Sequence, residues 1–198
     1  MLSELKLDQP RKLRVALVCG SLREGSCTKV ALEYVANYIE SHADAFHLDL
    51  QLAPLPFFTE QNKQENQLVI EFIDQIKNAD AILIGTPEYH GSLTGVLKNA
   101  LDYLSKDELK NKPIALVAVG AGQYGGIGAL DAMSSIMKNL HALVIPYQAA
   151  ISSSHKVIQN GEVVLNEYKS RLEHVAEQLL LFTKRISSTD IQHQTVAA

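Results

Sequence analysis

The sequence predicts an α/β domain: a parallel sheet with helices on both faces. Three observations carry that prediction. Apolar runs of strand length alternate five times with stretches whose apolar residues recur at helical spacing, the arrangement that strand–helix crossovers require. The leading runs are apolar at nearly every position, as strands buried on both faces are. Three loops that leave such runs are rich in glycine, hydroxyl or aromatic residues, and in parallel sheets ligands bind outside the carboxyl ends of the strands.

Taken in order, residues 1–12 read as a polar leader with Pro10 just before the first strand, Leu13 to Cys19. That run breaks at Gly20. After the polar loop Ser21–Ser26, a helix is expected over Thr28–Ser41, with Val30, Ala31, Tyr34, Val35, Tyr38 and Ile39 as its stripe. Phe46–Leu52 alternates apolar and polar residues, which suits an edge strand with one solvated face. Ala53–Asn66 contains Pro54, Pro56 and the pair Phe57-Phe58 and reads as a loop. A helix follows over Gln67–Asn78, a buried strand over Ala79–Thr86, and a helix over Leu93–Leu104. Pro113–Val119 is the fourth strand, Ile127–Leu140 a helix, and Ala142–Ala149 a fifth strand in which Pro146 limits central pairing. Asn160-Gly161 between short β-like runs signals a hairpin within His155–Val164. Asn166–Lys184 is a last amphipathic helix, and 186–198 lacks periodicity and reads as a flexible tail. The domain proper is therefore expected over 13–185.

Composition narrows the function. The net charge of −4, without a basic stripe, argues against nucleic-acid binding. The leader carries charges throughout and has no apolar core of a signal peptide, and no apolar run is long enough to span a bilayer. Two cysteines, Cys19 and Cys27, suit reduced thiols in the cytoplasm better than a disulfide framework. His42, His47, His141, His155 and His174 show no metal-ligand spacing, and no G-x-S-x-G is present.

The loop Gly20-Ser-Leu-Arg-Glu-Gly-Ser26 is the most informative stretch. A buried strand, a tight loop and a helix start make an anion site, because helix N-terminal amides and the helix dipole favour negative charge. Ser21, Ser26 and Thr28 add hydroxyls, and Arg23 adds a planar fork suited to phosphate oxygens. The spacing is neither that of a P-loop nor that of a dinucleotide fingerprint. What remains fits a single terminal phosphomonoester such as that of FMN. An ordinary strand–helix connection with a serine cap is equally open on this segment alone; Arg23 could instead form a surface salt bridge to Glu24 or a nearby acid, but its loop context favours phosphate. Cys27 sits near the helix start, where a thiol can be activated, or is simply a small residue at a packed turn. The convergence of this loop with Pro87–Ser92 and Gly120–Gly126 at three strand ends is what favours a site.

Together with Thr86-Pro-Glu-Tyr-His-Gly-Ser-Leu-Thr-Gly-Val-Leu-Lys-Asn-Ala-Leu-Asp102, the first loop resembles the NADPH-dependent FMN reductase family of flavodoxin-like proteins, over roughly Leu13 to Leu181. The resemblance implies a three-layer sandwich with a five-stranded parallel sheet in the order 2-1-3-4-5. It implies FMN as cofactor and NADPH or NADH as hydride donor, with electrons passed in ping-pong order to a small-molecule acceptor: free flavin, a quinone, an azo dye or a chromate-like oxidant. It also implies a homodimer or homotetramer. By motif position, Ser21, Arg23, Ser26 and Thr28 hold the phosphate, with Cys27 between them. Pro87, Glu88, Tyr89, His90 and Gly91 line the isoalloxazine ring, and Gly120, Gly122, Gln123, Tyr124 and Gly125 lie against its other edge. No side chain is expected to act as nucleophile or general acid. Thr28 and His90 each stand where Asn is usual, and Tyr103 where Trp is common, a change that bears on packing or a dimer contact. Glu88 has two readings, a ring contact or a partner for a loop amide; Tyr89 and Tyr124 either flank the ring or pack in their loops. The alternative to an NAD(P)H-dependent reductase is a flavodoxin-like electron carrier or a flavin-binding sensing module without NAD(P)H turnover.

Overall fold

Both faces of the sheet are covered, and each central strand divides its apolar residues between them. The computed structural model describes residues 11–196, with side chains through 187. The leader expected at 1–12 therefore lies outside the described residues except for Arg11 and Lys12. Strand β1 (Leu13–Cys19) is flanked by two parallel neighbours, β2 (Ala43–Asp49) and β3 (Ala81–Pro87). Strand β4 (Pro113–Val119) pairs with β3 on its other side. The sheet order is β2-β1-β3-β4-β5, the order expected. Val15 and Leu17 of β1, Leu83 of β3 and Val117 of β4 face one core, and Ala16, Val18, Ile82, Ile84, Ile114 and Leu116 face the other. That division explains why alternation is invisible in these strands: both phases of the pleat are buried.

The first core is closed by α1 (Cys27–Ile39), through Ala31, Leu32, Val35 and Ile39, and by α8 (Asn166–Val196), through Leu172, Val175, Ala176 and Leu179. Tyr34 and Tyr38 of α1 donate to Glu173 and Glu177 of α8, at 2.5 and 2.9 Å. Burial, reinforced by those carboxylates, pushes both phenols up to about 12. The second core is closed by α3 (Gln67–Lys77), α4 (Gly95–Asp102) and α6 (Ile127–Asn139).

Several element boundaries differ from the sequence pattern. Strand β2 begins three residues earlier than Phe46 and stops at Asp49. There the carboxylate accepts the Gln51 amide at 2.9 Å and the carbonyl accepts Leu52 and Ala53, turning the chain out of the sheet. Inside the stretch expected to be loop lies a short helix, α2 (Glu60–Glu65), capped by Thr59, whose hydroxyl accepts the Asn62 amide. It buries no residue and so carries no apolar period. A one-turn helix, α5 (Lys106–Leu109), starts with a capping box between Ser105 and Glu108. The fifth strand is two pieces, β5 (Leu143–Val144) against the start of β4 and β6 (Ala149–Ile151) against its end, with Pro146 in the gap. Before the hairpin comes α7 (Ser154–Val157). The hairpin itself joins β7 (Ile158–Gln159) and β8 (Glu162–Val163) antiparallel, with Asn160 and Gly161 both at positive φ. The final helix does not end at Lys184 but runs to Val196, and neither Gly nor Pro follows Gly161 to stop it. The tail expected over 186–198 is thus helical through Val196; 197–198 lie outside the described residues.

Candidate functional site

The carboxyl ends of β1, β3 and β4 each continue by one ladder bond into a loop. The Gly20 amide donates to Gly85 O, the Glu88 amide to Val119 O and the Gly120 amide to Ile151 O, all at 2.8 Å. The three loops are therefore fixed relative to one another by the sheet before any side chain acts. Thr94, the N-cap of α4, adds a cross-tie: its hydroxyl donates to Gly20 O at 2.6 Å and accepts the Leu97 amide at 3.3 Å.

Between these ends lies a cleft of about 180 Å³, lined by Ser21, Arg23, Ser26, Cys27 and Thr28 on one side and Pro87, Glu88 and Tyr89 on the other. Ser26 caps α1, its hydroxyl accepting the Lys29 amide at 3.3 Å, and the Ser21 hydroxyl accepts the Arg23 amide at 3.3 Å. The amides of Cys27 and Thr28 are left without an intrahelical acceptor by helix geometry. Arg23 is exposed and forms no ion pair among the described residues, so the pairing with Glu24 is not seen. Thr28 is 1% exposed, and its Oγ1 has no hydrogen-bond partner among the described residues. A buried hydroxyl without a partner costs about 1–3 kcal/mol, so such a group in a cleft wall marks where a ligand atom belongs.

The Pro87–Ser92 loop is a two-residue hairpin. Tyr89 and Ser92 exchange amide–carbonyl bonds at 3.0 and 3.1 Å, and His90 and Gly91 hold φ values of 52° and 78°. Two successive residues at positive φ define the turn that Asn-Gly prefers, and His is among the few other residues enriched there. The backbone at position 90 thus accommodates His, though it favours Asn. The Glu88 and Tyr89 amides are committed within the protein, which leaves those of His90 and Gly91 unused by the turn.

Glu88 pairs with a backbone amide, one of helix α6 and not of its own loop. Its Oε2 accepts the Ala129 amide at 3.0 Å, in the first turn of α6, where the N-cap residue Gly126 offers no side chain. A carboxylate there also complements the helix dipole. Next to it Gly91 O rests on Gly128: a Cβ at 128 would lie 2.2 Å from that oxygen. Likewise Gly120 and Gly125 touch backbone to backbone, a Cβ on either falling within 2.5 Å of the other. The space at Gly125, expected to admit a ligand, is filled by the chain itself; Gly122 is open.

Of the expected site residues, His90, Gly91, Gly120, Gly122, Gln123, Tyr124 and Gly125 are not part of the cleft's lining. Tyr89 and Tyr124 are 52% and 77% exposed, so neither is a packed loop tyrosine. Tyr103, by contrast, is buried beneath the 53–59 loop and donates to Pro56 O and Phe57 O at 3.1 and 3.0 Å. Ala121 of the expected Gly120–Gly126 loop lines the cleft, as do Val119 and Ser154, which the sequence did not single out. Ser154 arrives from beyond β6, its amide donating to Gly120 O at 3.1 Å. Only the fold brings it there, and nothing local in the sequence signals it. Lys29 and Asp49 form a 2.8 Å ion pair between α1 and the end of β2. Among the described residues no cluster of His, Cys, Asp or Glu could hold a metal, and no helix is long and apolar enough to cross a membrane.

Residues 13–156 match the family model described as NADPH-dependent FMN reductase. An NADPH azoreductase of Bacillus sp. (strain OY1-2) is 34% identical over 152 residues, covering 76% of this chain and 82% of that protein. An FMN-dependent NADPH-azoreductase of Staphylococcus haemolyticus (strain JCSC1435) is 29% identical over 178 residues, 84% and 93% of the two chains. Among solved structures, FerB, a flavoenzyme NAD(P)H:(acceptor) oxidoreductase from Paracoccus denitrificans, superposes with a TM-score of 0.76 at 22% identity, covering 87% of this chain and 98% of its own. A flavodoxin from the domain Archaea gives 0.58 at 20% identity, covering 84% and 99%.

Proposed function

We infer the reaction from one premise: this chain belongs to the NADPH-dependent FMN reductase family. It is an oxidoreductase that uses FMN and a reduced nicotinamide. We propose that the cleft between Ser21–Thr28 and Pro87–Tyr89 holds FMN, and the observation that carries this is the unpartnered buried hydroxyl of Thr28 beside an uncommitted Arg23.

Held there, FMN would supply the hydride and electron chemistry between NAD(P)H and an acceptor. The protein's part is binding and orientation. Ser21, Ser26 and Thr28 hydroxyls, the Cys27 and Thr28 amides and the Arg23 guanidinium hold the terminal phosphate. The His90 and Gly91 amides serve one edge of the ring, with Pro87 and Tyr89 beside it. Glu88 acts indirectly, by tying the turn to α6. Gly120, Gly122, Gln123, Tyr124 and Gly125 border the other edge. Residues 13–185 form the cofactor domain. Azo compounds are the acceptors favoured by the relatives' activities, with quinones, free flavins and chromate-like oxidants in the same two-electron class. Two free cysteines support a cytoplasmic setting. The exposed Leu52 and Phe57 support self-association as a homodimer or homotetramer.

The test is the visible spectrum of the purified protein before and after NADPH under nitrogen. Flavin bands that bleach are expected. Bands that persist would favour an electron carrier, and a colourless protein inert even with added FMN would overturn the reading.

A further inference from the structure

The phosphate end of the cleft has a thiol in its wall. Cys27, the first residue of α1, is half-buried and lines the cleft between Ser26 and Thr28. That this end receives a ligand is indicated independently by the Thr28 hydroxyl, buried and unpartnered in the same wall. The chain has one other cysteine, Cys19, which is 2% exposed at the end of β1. Burial pushes the Cys19 thiol up to about 11, so a reagent in solution meets Cys27 alone. The cleft's chemistry also selects the reagent. At the Ser21–Thr28 end the α1 N-terminus and Arg23, which forms no ion pair among the described residues, favour an anionic partner, while the Glu88 carboxylate is turned onto the Ala129 amide of α6.

We propose that Cys27 is a thiol–disulfide exchange site, and that its mixed disulfide with an anionic low-molecular-weight thiol and the FMN phosphate exclude one another. The proposal rests on the FMN reading of this cleft. In the step itself the Cys27 thiolate attacks one sulfur of a carboxylate-bearing disulfide. A bond forms between that sulfur and Cys27, the original S–S bond breaks, and the second half leaves as a thiolate that takes up the proton released from Cys27. The Cys27 sulfur is oxidised and the departing half is reduced, with no further reactant. The consequence is a competition: the loaded protein is shielded from oxidation at Cys27, and the empty protein, once capped, does not load.

The test uses 5,5′-dithiobis(2-nitrobenzoate), a carboxylate-bearing disulfide, on the full chain stripped of FMN. One equivalent of thionitrobenzoate is expected per chain, from Cys27. FMN at a hundredfold excess over its Kd slows that release about 100-fold, by simple occupancy. The capped protein leaves FMN in the filtrate of a spin column, and dithiothreitol restores retention. Cys27→Ser releases no thionitrobenzoate, and its FMN retention is the same before and after treatment; Cys27→Ala repeats the test should the serine variant fold poorly. Release at the same rate with and without FMN, no release from the folded protein, or full FMN retention by the capped protein would each overturn the proposal. Failure of the untreated protein to retain any FMN would overturn the cofactor reading and this inference with it.

Discussion

Thr28 has opposite effects in the empty and the loaded protein. With its hydroxyl buried and unpartnered, the empty protein carries a desolvation cost that a ligand oxygen would remove. Thr28→Val keeps the shape and deletes the hydroxyl. It should raise the stability of the FMN-free protein by about 1 kcal/mol and weaken FMN binding by about 1 kcal/mol, roughly fivefold. Thermal melts with and without FMN read both signs at once, and a melt lowered in the empty protein would contradict the account. His90 offers a second test. Its positive φ of 52° suits Asn better than His, so His90→Asn should leave the turn intact and stabilise the protein by a few tenths to about 1 kcal/mol in urea titration. If His90 instead supplied chemistry, turnover would fall while stability held.

The elements that carry the site are held by side chains from their neighbours. Helix α6 has no side-chain cap of its own, and Glu88 supplies one from the Pro87–Ser92 loop. Glu88→Ala should therefore cost about 1–2 kcal/mol and loosen the turn and the helix start together, whereas Glu88→Gln, which retains an acceptor oxygen, should recover part of the loss. Amide exchange at Tyr89, Ser92 and Ala129 is the measurement, since a ring contact alone would leave Ala129 unchanged. At the opposite end of the sheet Asp80 accepts two bonds from Arg11, at 2.7 and 2.8 Å, and the Arg14 amide at 2.8 Å. Burial pushes the Asp80 carboxyl up, but these bonds outweigh it and hold the carboxyl below its ordinary value of 3.8. The unfolded state therefore binds the proton first as pH falls. The stabilisation is complete above 3.8 and drains away as pH drops toward the folded value. Asp80→Asn should be less stable than the native chain at neutral pH, and that difference should shrink in acid urea titrations.

At the scale of the molecule, the parts of the fold legible in the sequence were those whose signal is local. Strands β1, β3 and β4 appear as apolar runs because both faces are buried, and Asn160-Gly161 marks its hairpin. Helix α2 was not legible, because it buries nothing and so has no period. Ser105 and Glu108 did carry a local signature, the capping box, which could have found α5. The hydroxyl loop was legible as an anion site from residue type alone. The partnership of Glu88 with Ala129, the contact of Gly120 with Gly125 and the arrival of Ser154 were not, since each joins segments that only the sheet brings together.

The broken fifth strand has a kinetic consequence. The loop at Ser21–Thr28 leaves β1, which has an unbroken partner on each side. The loop at Gly120–Gly126 is pinned through Ile151 and through the Ser153 and Ser154 amides to a three-residue strand beside the Pro146 gap. The Ser21–Thr28 side of the cleft is thus anchored between two full-length neighbours, whereas the Gly120–Gly126 loop leaves β4, which has β3 whole on one flank and only a short strand on the other, the part expected to open first by local fluctuation. Amides of β6 should exchange with solvent hydrogen faster than those of β1 and β3, by a route that leaves the global fold closed. A bound molecule spanning both sides would then let go in a fixed order, its end near Gly120 first and its anionic end last.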